Sequence, residues 1–269
     1  MREEKKIDDI EKFIQETKKD YDEWKLGDSP WYPWFRGEPM ELKHSKPLLP
    51  RLYRGNPPGD YYENRLLQHF RMRAEVYGDT PHRDQTDQWL FLAQHVGLPT
   101  RLLDWTESSL AGLYFALGKQ KGVVWMLNPF ALNNLALGKD PTGLEYNVYG
   151  LTWHTREGEK NIASANINAA WQGDRGGIDL PVAIAPTYIH TRIPAQKSCF
   201  TVHGNRKESL YEILKDTDIL RKYVIDIDES ERKKMLGELR ILGVSHATLF
   251  PDLDGLAKDL TQLFRPDLP

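Results

Sequence analysis

The chain has 269 residues, 40% hydrophobic and 11% aromatic, enough for a substantial core and too many for a disordered or fibrous chain. A net charge of −3, from 36 basic and 39 acidic residues, gives no global basic field for general DNA or RNA binding and leaves only a local basic groove open. The single cysteine, Cys199, excludes an internal disulfide and a cysteine-rich zinc site, and fits a reducing compartment.

The opening residues, MREEKKIDDIEKF, are charged where a signal peptide would be apolar, and no run approaches membrane-spanning length. The expectation is a cytoplasmic protein without membrane association. Over residues 6–26, Ile7, Ile10, Phe13, Ile14, Tyr21 and Trp24 recur mostly at three- and four-residue intervals among charges. That spacing predicts an amphipathic helix, residues 1–28, stopped near Gly27 and Pro30 and set before a single domain over 29–269.

WYPWFRG then reads as a strand, with Pro33 pointing to an edge or a bulge. Residues 43–60 carry six prolines and glycines and read as an ordered loop. YYENRLLQHFRMRAEVYG is a second helix, and RDQTDQWLFLAQHVG a third, closed by Gly97. After a turn, LPTRLLDW, the segment ESSLAGLYFALGK is apolar nearly all round and predicts a buried central helix. GVVWML is a strand, and residues 128–178 a polar, variable insertion with some helix. Strands follow at LPVAIAP, SCFTVHG and KYVIDI. The chain ends as a helix (ESERKKMLGELRILG), a short strand (ATLF) and a last helix (DLDGLAKDLTQLF). This irregular order predicts an α+β fold, with a mixed or antiparallel central sheet flanked by helices.

No dinucleotide fingerprint, phosphate loop, zinc-protease helix or nucleophile elbow is present. The glycines of WQGDRGGID read as a loop. The eight histidines have no ligand spacing with carboxylates or the cysteine, so no metal is expected.

Two polar stretches interrupt apolar surroundings. In FRGEP, Arg36 offers a rigid fork of donors, either for a phosphate reached past the bare backbone of Gly37 or for a structural ion pair with Asp104 or Glu38. Residues 92–116 gather Gln94, His95, Thr100, Arg101, Asp104 and Trp105 between two apolar helices. His95 is a base, a donor to a ribose hydroxyl or a satisfied core histidine. Asp104 or Thr106 would cap the next helix, and Arg101 would pair with Asp104 three residues on.

WFRGEP, LPRLYR, WLFLAQHVGLPTRLLDWTESSLAGLYFAL, GVVWMLNP, RIPAQKSCFTVHG and LFPDLDGLAKDL, in that order over about residues 31–263, closely resemble the FRG domain family, named for its aromatic-Arg-Gly motif. Val96 stands where many members have a second histidine. An aromatic-Arg-Gly strand is also similar to the first strand of many ADP-ribosyltransferases, where the arginine holds the nicotinamide-side phosphate or ribose of NAD.

This second resemblance implies an ADP-ribosyltransferase-like fold and NAD as co-substrate. Arg36 and Gly37 would lie at the phosphates, with Thr100 and Arg101 near them. Trp105 or Tyr114 would stack on a ring, and His95 and Gln196 would lie at the ribose. RIPAQKSCFTV resembles the late strand that often carries a catalytic glutamate. Here Gln196 and Cys199 occupy that place, and no Glu lies between Glu159 and Glu208. The acid would come from Asp104, Glu38 or Glu107.

The implied protein is a bacterial or phage toxin or antiphage effector, with a protein or nucleic acid as acceptor. The alternatives are a non-catalytic nucleotide-sensing or protein-interaction module, and a nucleic-acid processing protein using Arg51, Arg54, Arg65, Arg71 and Arg73.

Overall fold

The computed structural model describes residues 4–24, 32–40, 47–55, 60–78, 80–83, 85–137, 179–186 and 192–265. In chain order these form β1 (Lys5–Ile7), α1 (Ile10–Glu23), β2 (Trp34–Pro39), a 3-10 turn (Arg51–Tyr53), α2 (Asp60–Ala74), α3 (Thr86–His95), β3 (Leu102–Thr106), α4 (Ser109–Ala116), β4 (Lys121–Leu127) and α5 (Pro129–Leu137). They continue with β5 (Val182–Ile184), α6 (Arg192–Gln196), β6 (Ser198–Val202), α7 (Leu210–Leu214), β7 (Leu220–Asp226), α8 (Glu229–Ile241), α9 (His246–Leu249) and α10 (Leu253–Phe264). The fold is α+β. Of the insertion expected at 128–178, residues 129–137 are α5, and 138–178 lie outside the described residues, as does most of WQGDRGGID.

The strands make one mixed sheet in the order β1-β7-β4-β2-β3-β6-β5. Among the described residues only the β1–β7 pair is parallel. Alternation along the strands divides the core. On one face, Phe35, Val124, Met126, Tyr223 and Ile225 pack under α1, α4 and α8. Further along the same face, Leu102, Phe200, Val202 and Ile184 pack under α2 and α3. The other face carries Trp34, Leu103, Trp105, Trp125 and Leu127 against α5 and α7. Burying large side chains on both faces explains why β4 reads as a continuous apolar run.

Local sequence sets the ends of the helices. Asp9 accepts from the Lys12 N–H at the start of α1, Ser108 caps α4 at Ala111, and Asp228 with Glu231 forms a capping box on α8. Gly97, at φ +85°, reverses the chain after α3.

Several expectations are corrected. Residues 5–7 belong to a strand rather than to the first helix, because Lys5, Lys6 and Ile7 extend along Tyr223, Val224 and Ile225 of β7. Asp20 ties α1 to this end of the sheet. Buried at 1% exposure, it accepts from Lys5 (3.0 Å), Arg221 (3.2 Å) and the Tyr223 hydroxyl (2.5 Å).

β2 is neither edge nor bulge but the middle strand, since Pro33 precedes its first residue and removes no ladder hydrogen bond. Residues 102–106 are a strand rather than a turn, paired to β6 over five residues with Leu102, Leu103, Trp105 and Thr106 buried. ATLF is not a strand; His246–Leu249 is a helical turn fixed by Ser245 and Thr248 bonding each other's backbone N–H.

Candidate functional site

β2 pairs with β4 over six residues, but with β3 at one position, Phe35 opposite Thr106. Beyond that pair the sheet forks. Continuing the register would set Gly37 opposite Asp104, and here the Arg36 side chain takes over from the ladder: its Nη1 donates to the Asp104 carbonyl oxygen at 2.6 Å. Its Nε donates to Glu38 Oε1 at 2.9 Å, and the Asp104 carboxylate lies 3.7 Å from Nη1. Burial works against the charge on Arg36, but Glu38 and Asp104 outweigh it and hold its pKa above the ordinary guanidinium value. Both structural partners expected for Arg36 are therefore present.

The Asp104 side chain shares its face with α3 and stays 55% exposed, so it can reach a ligand. Its orientation is set from behind. Gln94, one residue before the end of α3, donates from Nε2 to Asp104 Oδ2 at 2.8 Å, and the buried Thr100 hydroxyl donates to Gln94 Oε1. Because the carboxylate only accepts, the nitrogen end of the amide must face it, which leaves the oxygen end to the Thr100 hydroxyl. Thr100 also accepts from the Leu102 N–H, which anchors the relay at the start of β3.

A cavity of about 410 Å³ lies over the fork on the α4 face. Phe35, Phe115, Phe250 and Trp105 wall it, and Arg36, Asp104 and Gln196 supply its polar groups. Apolar walls with a few oriented polar groups are the usual construction of a small-molecule site. On the opposite face a second cavity, of about 520 Å³, is lined by Arg36, Glu38, Arg54, Trp125, Tyr211 and Lys222 among others.

Arg36, Gly37, Asp104, Trp105 and Gln196 thus meet at one cavity, with Thr100 one contact behind. Gln196 lies on the short helix α6 rather than on a strand edge, and its amide donates to the Leu249 carbonyl at 3.0 Å. Trp105 is only 3% exposed and its indole donates to Thr201, so it forms wall rather than an open stacking platform. The space beside Gly37 is filled by a helix: a Cβ there would lie 1.9 Å from the Gly112 carbonyl oxygen and 2.5 Å from the Ala116 nitrogen. Its bare backbone admits α4, where the sequence suggested room for a ligand.

Other candidates lie elsewhere. Arg101 does not pair with Asp104. It is buried, bonded through Nε and Nη2 to the Glu63 carboxylate and through Nη1 to the carbonyls of His203 and Gly204, clamping α2 to β3 and the exit of β6. Tyr114 meets Nδ1 of His246 at 3.2 Å, and its neighbour Phe115 reaches the cavity instead. His95, half-buried at the end of α3, lines neither cavity. Asp104 and Thr106 do not cap α4; Ser108 does, while the Thr106 hydroxyl donates to the Gln196 carbonyl.

Sequence reasoning passed over Gln94 as a site residue, although it stands beside His95. It also missed Phe115, Phe250 and Glu63, whose partners come from distant segments. Among the described residues no group of three or more His, Cys, Asp or Glu is arranged to hold a metal ion, and no helix is long and apolar enough to cross a membrane.

Fold and site together define a mixed-sheet α+β protein with a ligand-sized cleft at a fork in its sheet. Residues 32–123 match the family model of the FRG domain, so over that stretch the chain carries an FRG domain. The match contains Arg36, Gln94, Thr100 and Asp104, while Gln196 and Phe250 reach the cavity from outside it. No curated protein and no solved structure matches this chain.

Proposed function

We propose that the α4-face cavity binds a nucleotide, with NAD as co-substrate, and that the chain is an ADP-ribosyltransferase-like effector, a toxin or antiphage protein, modifying a protein or nucleic acid. The observation behind this reading is the convergence of Arg36, Asp104 and Gln196 on one aromatic-walled cavity. The donor set suits such a ligand. Phe35, Phe115 and Phe250 enclose a flat ring, and the free edge of Arg36 lies towards a phosphate. Asp104 has Oδ2 fixed by Gln94, and its other oxygen is free among the described residues to take ribose hydroxyls. NAD supplies a glycosidic bond to nicotinamide whose cleavage develops positive charge on the ribose. The fixed Asp104 carboxylate stabilises that charge.

Incubation of the purified chain with NAD, with cellular protein and nucleic acid as acceptors, should release nicotinamide. Asp104→Asn should slow release by roughly 10²–10³-fold, the usual cost of one catalytic electrostatic group. Absence of release under all acceptor conditions refutes the transfer reaction.

A second reading, a nucleotide-sensing module without turnover, draws on the committed polar groups. Gln196 brings an amide rather than a carboxylate and spends it on Leu249, and Arg36 is already paired with Glu38. Saturable nucleotide binding without nicotinamide release selects it.

A further inference from the structure

The second cavity, on the sheet face opposite Asp104, has a composition of its own. Among the described residues, three cations, Arg36, Arg54 and Lys222, line it with one carboxylate, Glu38, which already accepts from Arg36. Lys222 is balanced from outside the lining by Glu4 and lies over the Trp125 ring, 5.7 Å from its centroid. Arg54 feels the charge of Glu38 at a distance but is not bonded to it. Its Nε donates to the Leu49 carbonyl at 3.0 Å, and it makes no ion pair among the described residues.

Two guanidinium groups from separate chain segments and an ammonium around one cavity outnumber the single carboxylate among its described lining residues. Partial desolvation, then the charges of Arg36 and Arg51, lower the pKa of Arg54 against the opposing charge of Glu38, the direction expected when like charges outnumber the counter-ion. Planar guanidinium forks bind phosphate oxygens in pairs, and two forks with an ammonium beside them suit linked phosphates better than a single carboxylate.

We propose that this cavity binds a diphosphate-type anion through Arg54 and Lys222, with the charge of Arg36 beside them. The site stands whether or not the Asp104 cavity turns over NAD. The anion comes either as free inorganic pyrophosphate or as the diphosphate of a nucleotide.

Calorimetric titration of the full chain with phosphate, pyrophosphate and ADP tests the site. Pyrophosphate should bind saturably, and Arg54→Ala should weaken it at least about tenfold, the scale of a charge-assisted pair. Asp104→Asn, which removes a counter-charge from Arg36, should not weaken it. Arg54 is exposed, so the variant should fold, which circular dichroism checks. ADP binding tighter than pyrophosphate, with the same loss in Arg54→Ala, identifies a nucleotide diphosphate as the source; equal affinity identifies the free anion. The proposal is overturned if none of the three anions binds, if Arg54→Ala binds as well as the parent chain, if ADP binds without pyrophosphate, or if Asp104→Asn abolishes binding.

Discussion

Gly37→Ala should damage the fold before it damages any ligand site. The new Cβ would lie 1.9 Å from the Gly112 carbonyl oxygen and 2.5 Å from the Ala116 nitrogen, both backbone atoms of α4. Ordinary contact begins near 3.4 Å, so helix and strand must separate by about 1.5 Å, with no flexible side chain to absorb the change. Neither partner is free to move. β2 is held by six residues of β4, and α4 sets Leu113 and Ala116 at 0% exposure into the core shared with Phe13 and Met235.

Overpacking costs about 1–3 kcal/mol where side chains can adjust, so a backbone clash belongs at the upper end, about 3 kcal/mol. For a chain of this size that is a fall in Tm of roughly 6–12 °C. Thermal and urea unfolding followed by circular dichroism measure it. The control is Gly237→Ala in α8, where the added Cβ meets nothing within 4 Å and the change should stabilise by up to about 1 kcal/mol through helix propensity. An unchanged Tm in Gly37→Ala, with loss of nucleotide binding alone, would refute the packing argument and restore Gly37 as a ligand-approach residue.

His203 is buried at 1% exposure, and burial, opposed more weakly by the Glu208 backbone, lowers its pKa to about 3. The unfolded chain therefore binds a proton that the folded chain refuses. Stability is full above the unfolded value of 6.5 and is lost as pH falls towards 3, by about 1.4 kcal/mol per unit. His203→Gln should remove that part of the slope in urea midpoints measured at pH 7, 6 and 5. Glu63→Gln leaves the buried Arg101 guanidinium without its carboxylate and should cost about 3–5 kcal/mol in the same unfolding assay, without moving the cavity residues. Gln94→Ala frees Asp104 from its positioning amide; nicotinamide release should fall about tenfold in kcat with little change in KM, because the lost contact orients rather than binds.

What the sequence disclosed follows from range. Periodicity and caps act within a few residues, so α2, α3, α4 and α8 are legible, as is the apolar run of β4. LLDWT carries two apolar residues, an acid and an indole behind Gly97 and Pro99, which locally reads as a turn. Its strand character comes from Ser198–Val202, almost a hundred residues later. ATLF shows the converse: it reads locally as a short strand, and the side chains of Ser245 and Thr248 close a helical turn instead. In the site, Arg36 and Asp104 were legible because charged residues interrupt apolar runs. Arg101 carried the same signal for a different cause, and only Glu63, 38 residues earlier, tells the two apart.

The fork also explains why the aromatic-Arg-Gly order works as a unit. Phe35 makes the last β2–β3 register pair and sends its ring beneath α4. Two residues on, Gly37 removes the side chain that would lift the helix away. Between them the chain alternates to the other face, and the residue there must satisfy the Asp104 carbonyl that the departing ladder leaves behind. An arginine does this from Nη1 while its Nε holds Glu38, two acceptors taken in the fixed geometry of one fork. A ladder hydrogen bond of the sheet is thereby exchanged for a guanidinium placed between two cavities. The strand separation that costs the sheet its pairing makes the cleft.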